Sequence, residues 1–221
     1  MAREQFHTEL KSLEQEILRM GTLVEEQIAR AVDSLTTRDL KVAQQVIADD
    51  DRVDDLEMEI ERRCLTLLAL QQPMAGDLRV VSTALKIITD LERMADHAAD
   101  IANVTRRLGH EPLIKPLVDI PRMATVAAHM VRSALNAYIA RDVEMARDMI
   151  RMDDEVDRLY GQIFRELLDI MRQDPDSVFQ ATYLLFVANY LERIADHATN
   201  LGEWVQYMVT GRRKERRGAP A

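Results

Sequence analysis

The chain is poor in everything that staples or punctuates a fold. Its 221 residues hold one cysteine, Cys64, so no intramolecular disulfide forms and a reducing compartment suits it. Seven glycines and six prolines leave room for few turns, which argues against a loop-rich or many-stranded fold and suits long helices. Aromatic residues make up 5% of the chain, so Leu, Ala, Val, Ile and the twelve Met must fill the core. Positive charge is also in deficit: 29 Lys and Arg against 38 Asp and Glu give a net charge of −9, which argues against nucleic acid as the main partner. The longest uncharged run, Ser177–Leu191, falls short of the roughly 20 residues that a membrane-spanning helix needs. The opening MAREQFHTEL lacks an apolar signal core. A P-loop, a Gly-rich phosphate cradle, and Cys–His or Ser–His–Asp patterns are all missing. The expectation is a soluble, cytoplasmic protein that is not an enzyme and does not span a membrane.

What the chain does have is an internal repeat. LERMADHAAD (Leu91–Asp100) returns as LERIADHATN (Leu191–Asn200), and DDRVDDL (Asp50–Leu56) returns as DDEVDRL (Asp153–Leu159). Met20, Thr22, Ala31, Arg38, Asp39, Ala43 and Ile47 recur as Met123, Thr125, Ala134, Arg141, Asp142, Ala146 and Ile150. The offset is 103 before the mid-repeat turn and 100 after it, so one turn is three residues shorter. Two copies of one unit must therefore be built.

Apolar residues recur every three or four positions almost throughout, and alternating strand patterns are absent. Leu10, Leu13, Ile17, Met20, Val24, Ile28, Ala31 and Leu35 mark a first helix. A second, capped by Thr37 or Asp39, runs to about Gln71, where Pro73 and Gly76 interrupt it. A third carries Leu78, Val81, Leu85 and Ile88 on to about Arg107. Gly109, Pro112 and Pro116 mark a boundary, and the second copy breaks near Ala140–Asp142 and at Asp174–Ser177. The fold expected is all-α, two tandem three-helix bundles related by the repeat, each long enough to bury its own core. The first bundle spans 1–109 and the second 110–211. The basic tail 212–221, with RRKERR at Arg212–Arg217, is read as disordered by default, or as touching an acidic protein or a membrane surface.

The acids carry the functional signal. Asp54 and Glu92 lie 19 residues either side of Pro73, and Asp50 and Asp96 lie 23 either side. Antiparallel helices joined there bring these pairs level, roughly 30 Å from the turn. Asp157 with Glu192, and Asp153 with Asp196, repeat the symmetry about Pro175. A spacing of four puts both acids of a pair on one helix face. Four acids beside an apolar seam repel and lose hydration, so they call for protonation, basic partners or a cation. Hard oxygen-seeking ions such as Mg²⁺, Mn²⁺, Ca²⁺ or iron suit an all-carboxylate set. Arg93 and Arg193 offer the plainer alternative of salt bridges on a solvated face. Asp100, Asn200, Glu57 and Glu203 extend the stripes as possible outer ligands. His97 and His197 sit about 100° round the helix from the motif aspartates, which suits a flanking role better than ligation. The E-x-x-H spacing of di-iron bundles occurs once, at Glu4–His7 in an N-terminus expected to fray, whereas that chemistry needs two.

Together these residues resemble the PhoU family, phosphate-transport regulators of bacteria built from two three-helix bundles with paired E/D-x-x-x-D motifs. The matching motifs are Asp50 with Asp54, Glu92 with Asp96, Asp153 with Asp157, and Glu192 with Asp196. QQPMAGDLR (Gln71–Arg79) resembles the family's Q-P-x-A-x-D-L-R turn, and NLGEWVQYMVTG (Asn200–Gly211) its last helix. The resemblance covers about residues 5–211. It implies a metal cluster on each bundle, of iron, Mn, Mg or Zn, on the surface that faces partners. It also implies a cytoplasmic, often dimeric protein that restrains the phosphate-starvation response by contacting a sensor histidine kinase and the phosphate transporter ATPase. The second-half turn RQDPDSVFQ lacks counterparts of Gln72, Pro73 and Asp77, so the halves need not meet partners alike. The rival readings are a carboxylate-bridged metalloenzyme, a structural dimer module, and a paralogue serving general metal or phosphate homeostasis.

Overall fold

A computed structural model describes residues 2–212; all of the basic tail beyond Arg212 lies outside the described residues. The described residues form eight α-helices and no strand: α1 (Ala2–Thr37), α2 (Leu40–Asp49), α3 (Asp51–Gln71), α4 (Gly76–Leu108), α5 (Asp119–Ala140), α6 (Val143–Ile150), α7 (Asp153–Gln173) and α8 (Val178–Thr210). A single 3₁₀ turn, Pro175–Ser177, precedes α8. The first helix is formed from Ala2, so Glu4 and His7 stand on its first turns.

Of the two cap candidates, Asp39 is the one used. Its carboxylate accepts from the Lys41 and Val42 N–H groups, and its repeat counterpart Asp142 does the same for Glu144 and Met145. The long middle helix expected in each half is instead broken, at Asp50 and at Arg151–Met152. There the bonding tightens to three residues: the Val53 N–H donates to the Asp50 carbonyl at 2.8 Å, and the Met152 N–H to the Met149 carbonyl at 2.9 Å. Runs of adjacent acids cause this, since Asp is a poor interior helix former and competes for backbone donors. Both breaks fall at the acid motifs.

The two halves share one continuous apolar core. On α4 the buried residues come in adjacent pairs, Val80–Val81, Ile87–Ile88, Met94–Ala95 and Ala98–Ala99. That stripe is wider than one bundle requires, and α4 uses the surplus to pack along α8. These two helices make the most extensive contact in the molecule, α1 and α5 touch beneath them, and α2–α3 and α6–α7 flank the outside. The Arg79 Nε donates to the Met208 carbonyl at 3.0 Å, and the His97 and Tyr190 rings stack at 5.7 Å, so α4 and α8 run antiparallel. His97 meets its own repeat counterpart, His197, with ring centroids 5.9 Å apart, which relates the halves by an approximate two-fold. The segment between α4 and α5 is strapped down: the Gln180 side chain bonds the Ile114 N–H and the Pro112 carbonyl, and Lys115 pairs with Glu166.

Close approach of α1 to α5 depends on Gly21. A Cβ there would lie 2.0 Å from Leu135 Cδ1. Overpacking costs about 1–3 kcal/mol and the gain in helix propensity returns about 1 kcal/mol. Gly21→Ala is therefore expected to lower stability by about 1 kcal/mol in chemical denaturation.

Candidate metal centre

The antiparallel pairing of α3 with α4 brings Asp50, Asp54, Glu92 and Asp96 into one another's electrostatic reach. Burial raises the Asp50 carboxyl to about 6, and the Asp54 and Asp96 charges push the same way. Glu92 rises to about 7, by burial first and then by repulsion from Asp96, with Glu57 and Asp54 adding. Asp54 is raised by burial and by Asp96. The Oδ1 atoms of Asp50 and Asp54 are shut off from solvent without a hydrogen-bond partner. The neighbouring Asp49 is unlike them: Arg30 holds its Oδ2 at 2.6 Å, Arg52 lies 3.5 Å from Oδ1, and its carboxyl is held down.

The second half repeats this on α7 and α8. Burial raises Asp153 to about 6, helped by Asp157, Asp196, Asp154 and Glu192. Glu192 is raised by burial and then Asp196, against a 3.1 Å bond from the Asn189 amide. The salt-bridge partners foreseen in the sequence are present too. Arg93 lies 3.3 Å from Glu92 and 2.9 Å from Asp96, and Arg193 lies 3.6 Å from Asp196. Both guanidinium groups stand mostly in water, where such pairs are worth little, and they do not reach the orphaned oxygens on α3.

The outer positions divide. Asp100 stays with the first cluster, acting on Asp50 and lying 3.8 Å from His97 Nδ1. Burial raises its carboxyl. Glu57 stands near Glu92, and Glu203 is half-buried on α8. Asn200 turns to the seam between the halves, where its amide donates to Asp90 Oδ1 at 3.3 Å. The same oxygen holds His197 Nδ1 at 2.8 Å. Asp90 was not singled out in the sequence. The signal available was that the repeat answers it with Tyr190, so a lone acid faces the partner half. His97 is lowered by burial and by the His197 charge. The histidines thus join the halves instead of completing either acid set.

A cation fits these residues in kind: the donors are all oxygen, the half-buried carboxylates repel, and two of their oxygens have no partner. As they stand, no three His, Cys, Asp or Glu side chains among the described residues are grouped to hold one ion. A nucleophile is harder to find. Burial pushes the Cys64 thiol up to about 12, and it has no disulfide partner, so it is an inert core group.

The PhoU domain pattern matches residues 17–105 and again residues 120–205. The chain belongs to the PhoU family. A relative in Clostridium acetobutylicum, named phosphate-specific transport system accessory protein PhoU homolog, is 42% identical over 96% of this chain and 97% of its own. One of the same name in Aquifex aeolicus is 41% identical over 84% of each chain. The crystal structure of PhoU from Pseudomonas aeruginosa superposes with a TM-score of 0.89 at 35% identity, covering 94% of this chain and all of that one. The phosphate transport system regulatory protein PhoU from Streptococcus pneumoniae gives 0.89 at 30% identity, over 96% of this chain and 100% of that one. The family match repeats with the acid motifs, one set in each PhoU domain. No described helix is long and apolar enough to cross a membrane.

Proposed function

We propose that this chain is a non-enzymatic, cytoplasmic accessory protein of a phosphate-specific transport system that restrains phosphate uptake and the phosphate-starvation response. In this reading a homodimer docks on a sensor histidine kinase and on the ATPase of the phosphate transporter. Asp50, Asp54, Glu92 and Asp96 on one side, and Asp153, Asp157, Glu192 and Asp196 on the other, hold cations such as iron, Mn, Mg or Zn. Asp100 and Glu57 are supplementary ligands of the first set, and Glu203 of the second. The observation that carries the reading is the pair of acid clusters left short of positive charge in a chain whose relatives are named phosphate-transport accessory proteins. A bound cation would supply the missing charge. The residues themselves do the positioning: the α2–α3 and α6–α7 breaks set the first acid of each motif, and the shared core fixes the two faces relative to one another.

The Asp96→Ala/Asp196→Ala chain is expected to release phosphate-responsive genes from repression in phosphate-replete cells while keeping its helical circular dichroism. Both side chains are substantially open to solvent, so loss of fold does not explain that result. Repression equal to that of the unaltered chain would overturn the cation-dependent reading.

A further inference from the structure

We propose that the α7–α8 face beside the second acid cluster is a docking surface for a basic, amphipathic helix of a partner protein. Such docking rests on the reading above that the chain acts through protein partners, and it is assigned to the second half alone. Of the four Phe, five Tyr and one Trp, eight lie on α7 and α8, where they form connected stripes. On α8 the Phe179 and Tyr183 ring centroids are 4.9 Å apart, and those of Tyr183 and Phe186 are 6.1 Å apart. On α7 Tyr160 and Phe164 stand 6.4 Å apart. Phe164 follows Asp157 by seven residues, and Leu185 precedes Glu192 by seven. Asp157 and Glu192 lie within electrostatic reach, so the antiparallel pairing sets Phe164 level with Leu185, next to Phe186. Phe164, Phe179 and Phe186 are 42%, 60% and 48% exposed. Exposed rings gathered in this way mark a surface that a partner covers.

The repeat supplies an internal comparison. In the first half, Glu57, Glu61, Arg79, Lys86 and Asp90 stand where the second has Tyr160, Phe164, Phe179, Phe186 and Tyr190. Five positions charged in one copy are therefore aromatic in the other. The first half also leaves Leu65 and Leu78 exposed, although the period places Leu78 in the α4 stripe, but it sets Glu61, Arg79 and Lys86 among them. A demand of the fold acts on both copies alike, whereas a change confined to one copy's surface points to a partner met by that copy.

The stripe from Phe179 to Tyr190 is about 16 Å long, and its steps of four and three residues suit a helix of about three turns. Asp157 and Asp196 stand open to solvent at one end, and Asp174 and Asp176 at the other. Among the basic groups nearby, Arg172 pairs with Asp169 at 3.3 Å and Arg193 with Asp196 at 3.6 Å. Arg165 is exposed on α7, and Tyr190 feels both Arg107 and Asp100. Acids prevail at both ends, so a helix with Lys or Arg beside its apolar anchors meets them with opposite charge. The same acids repel an anionic lipid surface, and they repel this face of a second copy of the −9 chain.

The test is fluorescence anisotropy of a labelled peptide of about 18 residues, or five helical turns, in which leucine and lysine are patterned as an amphipathic helix. The controls are the same composition scrambled around the helix and a leucine/glutamate version. A chelator is present, so the outcome does not depend on cations at the acid clusters. The full chain is expected to bind one amphipathic lysine peptide at least about tenfold more tightly than either control. Phe164→Ser/Phe179→Ser/Phe186→Ser is expected to weaken that binding at least about tenfold. Glu61→Ser/Lys86→Ser, at corresponding first-half positions, should leave it within about twofold. All five positions are exposed, so circular dichroism should match the unaltered chain. Equal binding of the amphipathic and scrambled peptides, two peptides per chain, equal losses in the two variants, or no binding would each overturn the proposal. Equally tight binding of the glutamate peptide would overturn the basic character of the partner. Any of these would leave the docking reading itself intact, since repression in cells decides that.

Discussion

Leu91→Ala is expected to destabilise the chain by about 2–5 kcal/mol, the cost of a large-to-small change at a site that cannot collapse, and to do so for both halves at once. Leu91 is fully buried at mid-length in α4, and the core around it runs without a break from α1 through α8. A cavity there removes contacts from a first-repeat helix that packs against both halves. Thermal or chemical unfolding should keep one cooperative transition, moved as a whole. Two separated transitions, with only the first-half one displaced, would mean that each repeat holds its own core after all.

Removing charge from the first acid cluster is expected to have the opposite sign. Metal-free Asp50→Asn/Glu92→Gln protein should be more stable than the unaltered chain above pH 7. The folded values near 6 and 7 stand well above the ordinary 3.8 and 4.5. At full burial a rise of that size corresponds to about 3 kcal/mol per group. Both carboxyls are partly open to water and salt, so each retains about 1 kcal/mol. The pair should therefore gain about 2 kcal/mol, or roughly 4–8 °C in Tm. The sign follows from linkage: a carboxyl raised in the folded state binds its proton more tightly there than in the unfolded chain. Its penalty is full above the folded value and is relieved as the pH falls through 7 and 6 toward the unfolded value. The unaltered chain should accordingly gain stability from pH 8 down to about 5, and the variant should show less of that gain. A variant less stable than the parent at pH 8 would show that the two carboxylates are satisfied as charges.

The helices and the opposition of the acids were legible because both rest on local periodicity. Asp54 and Glu92 stand equally far from Pro73, and no tertiary knowledge is needed to see that a hairpin brings them level. What the sequence concealed was set by how the halves meet. Nothing in the spacing of His97 and His197 says that they face each other, because that depends on α4 and α8 running antiparallel. Asp90 was missed for the same reason: its partners, His197 and Asn200, lie more than a hundred residues away. The width of the α4 stripe was the available sign of a shared core, since adjacent buried pairs such as Ile87–Ile88 exceed what one bundle covers. The breaks at Asp50 and Arg151–Met152 were hidden because the apolar period continues through them, and only the run of acids signals the tightened turn. Leu78 fits the period and yet stands in solvent, because α4 begins at the edge of the molecule, where the core ends.

The most direct test of the acid clusters as cation sites is metal content by mass spectrometry on protein purified without a histidine tag. The unaltered chain is measured beside Asp50→Asn/Glu92→Gln/Asp153→Asn/Glu192→Gln, in which every replacement keeps the shape of the side chain. Stoichiometric metal is expected in the unaltered chain, and its loss from the fourfold variant. Metal absent from both, or equal in both, would contradict this reading and leave the carboxylates as half-buried acids that hold no cation.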